Sequence, residues 1–142
     1  MQINDFPRDE AVRHPLVTAL AVLIFAECAA VSAAAIYLVV EILVGASGSI
    51  LSAVALTVIT VVAAVWLGFI AVNVLRGRAW TRGAALTWQV LQVVIGLGCF
   101  QGLLATPAVG VALIAAAIAV VVLLFTPPVI AATSAREPRG QD

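Results

Sequence analysis

Glu27 is the residue whose type and setting most invite chemistry. It stands in a long apolar stretch, 12 residues after Pro15, which at the rise of a helix is about 18 Å along the axis. If that stretch crosses a membrane, the carboxyl is near the midplane. A charged side chain there costs at least about 2.5–3.5 kcal/mol and is expected to face protein or a water-filled cavity. The neighbours Ile24, Val31 and Ala34 offer it no partner. Gln92 lies 12 residues after Trp80, at the same depth, with Gln89 one turn away. A neutral Glu27 hydrogen-bonded to Gln92 or Gln89 is tolerable, whereas an ionised one requires water or a cation. Glu27, Gln89 and Gln92 are therefore the candidate intramembrane polar site, readable either as a packing lock or as a proton- or cation-coupled centre. Glu41 lies close enough to the far end of the same stretch to reach the headgroups.

Other chemistry is sparse. His14 is the single histidine, so no histidine pair exists to hold a membrane haem. Cys28 and Cys99 show no zinc spacing and fall inside apolar runs at different depths, where they read as small packing residues. Ser32 has no histidine at a reachable depth for a serine-hydrolase arrangement, and no glycine-rich phosphate loop is present. Neither a catalytic residue nor a metal or cofactor site is expected. Arg76, Arg78 and Arg82 form a short basic loop that either sets orientation or meets anionic headgroups.

The elements that must position these residues follow from where charge is missing. Of the 142 residues 64% are hydrophobic and 10% charged, too few charges to cover a water-soluble surface. Residues 42–75 and 83–135 carry none. About 20 apolar residues cross a bilayer as a helix, so the second run holds two crossings and a turn, and the first holds one. The pattern predicts four spans, at about 16–43, 50–75, 84–103 and 108–126, between an N-terminal tail (1–14) and a C-terminal tail (135–142). The first apolar stretch is longer than the core of a signal peptide. Gly45, Ser47, Gly48 and Ser49 make the first turn, Thr81 could cap the third helix, and Pro127-Pro128 must stop or kink the fourth. The fold class is all-α, an integral membrane four-helix bundle.

Orientation comes from arginine. Arg8 and Arg13 precede span one, Arg76, Arg78 and Arg82 separate spans two and three, and Arg136 and Arg139 follow span four. Four crossings put all of them on one side, the cytoplasmic one by the positive-inside rule. Trp80 and Tyr37 suit the inner and outer interfaces.

Small residues should hold the helices together, because lipid supplies no hydrophobic drive between them. Span one clusters Ala26, Cys28, Ala29, Ala30, Ser32, Ala33, Ala34 and Ala35. Span two aligns Thr57, Ala64, Gly68 and Ala71, and span three Ala85, Gln89, Gln92, Gly96 and Cys99, at helical steps. These stripes are expected to face other helices, with the Ala-rich face of span one against Gln89 and Gln92.

The segments LRGRAWTRGAALTWQVLQ (75–92) and LLFTPPVIAAT (123–133) resemble small uncharacterised four-helix membrane proteins of high-GC actinobacteria. That resemblance implies the same topology and no particular activity. Ala26-Glu27 also resembles the small multidrug resistance exporters, four-helix proteins with an essential Glu in the first span. This implies a proton-coupled role for Glu27, with Trp88 as a substrate-stacking aromatic. The chain is longer than those exporters and more biased in its arginines.

The expected function is a small non-enzymatic protein of the plasma membrane with both termini cytoplasmic. Its partners are the lipid bilayer and either further copies of itself or another membrane protein, with no nucleic acid. A proton-coupled exporter using Glu27 is the alternative.

Overall fold

A computed structural model describes residues 14–45, 48–101 and 106–134. The basic residues Arg8, Arg13, Arg136 and Arg139, Ser47 in the first turn, and both expected tails apart from His14 lie outside them. The described residues form five helices: α1 (Pro15–Leu43), α2 (Ile50–Leu75), α3 (Trp80–Phe100), α4 (Pro107–Leu124) and α5 (Pro127–Thr133). The first four are long and apolar enough to cross a bilayer, and the chain is an all-α membrane bundle.

The helix ends follow local chemistry. Pro15 opens α1, where its missing N–H costs nothing. His14 caps it, its Nδ1 accepting from the Leu16 N–H at 3.3 Å. Gly45, with φ of 70°, ends α1 in the left-handed conformation that glycine adopts without steric cost. Thr81 is not the cap of α3. The helix starts earlier, at Trp80, and Thr81 is buried inside its first turn with its hydroxyl donating to the Arg78 carbonyl at 2.6 Å. Pro127-Pro128 does stop α4, which ends at Leu124. The same two prolines then open α5, since their absent donors fall where a new helix has no use for them.

The spans pack mainly as two antiparallel hairpins, α1 with α2 and α3 with α4, joined through lesser contacts of α1 with α4 and of α2 with α3. In α3–α4 the backbones come close at two glycines. A Cβ on Gly110 would stand 2.7 Å from the Gly96 carbonyl oxygen, and one on Gly96 2.9 Å from Ile114. In α1–α2 the Cys28 thiol donates to the Ala64 carbonyl at 3.2 Å, beside Gly68.

One core unites the hairpins, at the end of the bundle where α1 begins and α4 ends, its terminal end. It comprises Val17, Leu20, Ala21 and Ile24 of α1, Leu67, Ile70, Ala71 and Val74 of α2, Ala85 of α3, and Val120 and Leu124 of α4, floored by Val129 and Ala132 of α5. Most large apolar side chains elsewhere, such as Ile36, Leu51, Val58, Val62 and Ile118, point outward. In lipid this is the favourable arrangement, because the solvent is itself apolar.

Two of the three expected stripes face helices. Ala85, Gln89, Gln92, Gly96 and Cys99 are all buried, and Ala71 is buried with Thr57, Ala64 and Gly68 half-buried. The stripe of α1 requires correction. Ala26, Ala29, Ala30, Ala33 and Ala34 are exposed, and the inward face of that helix is Cys28, Val31, Ser32 and Ala35. Helical rotation explains the mistake: a run so rich in alanine puts small residues on every face, so composition cannot choose one.

Candidate functional site

The polar site forms where the shared core ends. On the α1 face that contains Glu27, Leu20 and Ile24 on the terminal side are buried, whereas Ala30 and Ala34 on the other side are exposed. Residues three, four and seven apart share a helix face, so beyond Glu27 one edge of this face opens at Ala30 and Ala34, while the other stays covered at half-buried Val31 and buried Ala35. Glu27 itself is 8% exposed, Gln89 2% and Gln92 4%. Three polar side chains are thus withdrawn from the surface where the hairpins meet.

Glu27 reaches α3 directly. Its Oε2 accepts from Gln89 Nε2 at 3.2 Å, and its Oε1 accepts from Gln92 Nε2 at 3.1 Å. Gln92 Nε2 also donates to the Leu113 carbonyl of α4 at 3.1 Å. One amide therefore ties three helices at a single level. The depths expected for Glu27 and Gln92 coincide, as counting from Pro15 and Trp80 implies. The link between α1 and α3 is made by these side chains and not by an alanine face.

Two buried polar atoms near the carboxyl, Gln89 Oε1 and Trp88 Nε1, have no hydrogen-bond partner among the described residues. The indole N–H of Trp88 lies beside Glu27 without reaching hydrogen-bond geometry. The donors around the carboxyl come only from neutral amides and an indole. No group of three or more potential metal ligands occurs among the described residues, and Cys28 and Cys99 are both free thiols.

The basic loop separates into two parts. Arg76 and Arg78 are exposed, whereas Arg82 is half-buried with its guanidinium 5.2 Å from the centre of the Phe125 ring. Arg82 thus braces α3 against the end of α4 through a cation–π contact. Asn73 was not anticipated by sequence reasoning. It is buried near the end of α2, and its side-chain amide donates to the Phe69 carbonyl at 2.8 Å. Its backbone carbonyl accepts from both Arg76 N–H and Arg78 N–H, at 3.2 Å each. The available signal was Gly77 placed just after a span end, which fixes a helix-terminating turn and makes the residue four before it the acceptor.

Comparison with protein-family models, with curated proteins and with solved structures gives no match to this chain.

Proposed function

We propose that this chain is a small non-enzymatic integral membrane protein that works by assembly in the bilayer, with copies of itself or as an accessory subunit of a larger membrane complex. The observation that carries this reading is the engagement of both Glu27 oxygens by amides of the same chain. A carboxyl held in this way clips two hairpins together. The outward alanines of α1 support assembly, since small residues allow another helix to approach closely.

The arginine distribution supports a plasma-membrane orientation with both termini in the cytoplasm. Reporter fusions at Gly48 and Thr106 should then read outside, and fusions at Gly77 and after Asp142 inside. Purification in mild detergent, with mass spectrometry of whatever co-purifies, tests assembly. A lone monomer in lipid nanodiscs as well as in detergent would overturn it.

A second reading, a proton-coupled exporter using Glu27, is favoured by one feature: beyond Glu27 one edge of its own helix face is uncovered, at Ala30 and Ala34, with Trp88 beside the carboxyl. The two readings separate on Glu27→Gln. A clip retains assembly, whereas an exporter loses proton-driven efflux from proteoliposomes.

A further inference from the structure

At the terminal end of α2 the backbone makes a fixed turn. Gly77 takes a φ of 63°, its N–H donates to the Val74 carbonyl at 3.0 Å, and the Arg78 N–H donates to the Asn73 carbonyl at 3.2 Å. This pair of bonds is a Schellman motif. It holds Arg76 and Arg78 on either side of one glycine, and both side chains are exposed. The described carboxylates are Glu27, buried in the hairpin junction, and Glu41, at the opposite end of α1. Neither arginine has an acidic partner among the described residues.

Directly along the helix from this turn lies an aromatic surface. Phe69 precedes Arg76 by seven residues, two turns on the same face, and the Trp80 ring stacks on it with centroids 5.5 Å apart and planes at 29°. Trp66 extends the surface, its ring centre 6.1 Å from that of Trp80. All three rings are substantially exposed. Two turns of helix span about 11 Å, which is the separation between a phosphate at the headgroup level and the upper part of an acyl chain. The guanidinium groups suit a phosphodiester, and the exposed rings suit the acyl chain and glycerol region beneath it.

We propose that Arg76, Arg78 and the Trp66–Phe69–Trp80 surface form a binding site for one anionic glycerophospholipid. A phospholipid is favoured over a free phosphate because the cationic turn continues into a surface that faces the hydrocarbon. Arg82, in the same loop and of the same charge, is outside the site because its guanidinium lies on Phe125.

The test uses the full chain in phosphatidylcholine vesicles, with tryptophan fluorescence as the readout. Brominated phosphatidylglycerol at low mole fraction should quench more than the same fraction of brominated phosphatidylcholine. Arg76→Gln and Arg78→Gln should each reduce that preference, by up to about five-fold. Arg82→Gln should leave it nearly unchanged, and millimolar inorganic phosphate should not compete. Equal quenching by the two lipids, equal loss in all three variants, or displacement by phosphate would each overturn the proposal. Equal loss would mean general attraction to an anionic surface, and displacement would mean a phosphate site. Both exchanges are at exposed positions, and circular dichroism checks that the helices are intact.

Discussion

Toward the end where α1 begins and α4 ends, all four spans and α5 contribute to one core, whereas toward the hairpin turns no residue of α2 between Ile50 and Trp66 is buried. In the second region each hairpin is held by its own devices: the Gly96–Gly110 approach in one, and half-buried Ser32 and Thr57 in the other, with the Cys28–Ala64 bond at its border. When the solvent is oil, helices are held together by other means than in water. Burying apolar area yields little there, so a four-helix core is optional, and contact depends on close backbone approach and on polar groups that lipid cannot satisfy. The Glu27 cluster stands near the boundary between the two regimes, where side chains of α1 and α3 hydrogen-bond across the hairpins.

Reversing the charge at the boundary should have the largest effect. Glu27→Lys would place an ammonium group against the amide N–H donors of Gln89 and Gln92 and beside the Trp88 indole. Donors would face donors, and an unpaired cation near the bilayer centre costs about 2.5–3.5 kcal/mol before any repulsion is added. The expected outcome is loss of the folded bundle, measured as yield of monodisperse protein in mild detergent. Normal yield would show that the cluster does not hold the hairpins.

The next effect is regional. Leu124→Ala, in the shared core, should cost about 2–5 kcal/mol through the cavity it leaves. Leu56→Ala, on the exposed side of α2, should change stability by less than about 0.5 kcal/mol. Denaturation of both variants in mixed micelles, followed by circular dichroism, reads the difference. Equal losses would mean that the hairpins close together along their whole length. Gly110→Ala should fall between these two, at about 1–3 kcal/mol, because its Cβ meets the backbone oxygen of Gly96 at 2.7 Å as well as the Phe100 ring at 2.9 Å. Gly48→Ala, with nothing within 4 Å of the added carbon, is its control.

Much of this comparison was legible in the sequence, and some of it was not. Charge-free runs mark three of the four spans, because an unpaired charge in lipid is costly wherever it falls, and the first is marked by an apolar run that only Glu27 interrupts between Pro15 and Val40. Axial counting then placed Glu27 level with Gln92, since helix rise is nearly constant. Rotation is a different quantity. Around α3 the few small and polar residues single out one stripe, and that stripe is buried. Around α1 alanine is everywhere, and the exposed face could not be told from the packed one. Asn73 and the division of Arg82 from Arg76 and Arg78 depend on turn geometry and on Phe125, a residue distant in sequence. The short helix α5, opened by Pro127-Pro128, has no sequence signature of its own, because seven residues past a helix break carry too little propensity to mark a helix.

The smallest expected effect is also the most informative about the cluster. In Glu27→Gln one oxygen remains, enough to accept from Gln92 Nε2. The other position becomes an amide N–H group, which would face Gln89 Nε2 donor to donor. Rotation of the Gln89 amide by half a turn removes the conflict, presenting Oε1 to the new donor. That oxygen is buried and without a partner in the native cluster, so the rotation costs no existing bond of its own. The exchange is therefore expected to stay within about 1 kcal/mol of wild type. Glu27→Leu offers no acceptor in either orientation. Gln89 then loses its side-chain partner, while Gln92 keeps the Leu113 carbonyl. One newly unsatisfied buried amide should cost about 1–3 kcal/mol, again by denaturation in micelles. In a Gln89→Leu background the difference between the two exchanges at position 27 should shrink, because the amide that distinguishes them is gone. If Glu27→Gln is as damaging as Glu27→Leu, the adaptable amide is not what makes the junction tolerant, and the clip must depend on the carboxyl itself.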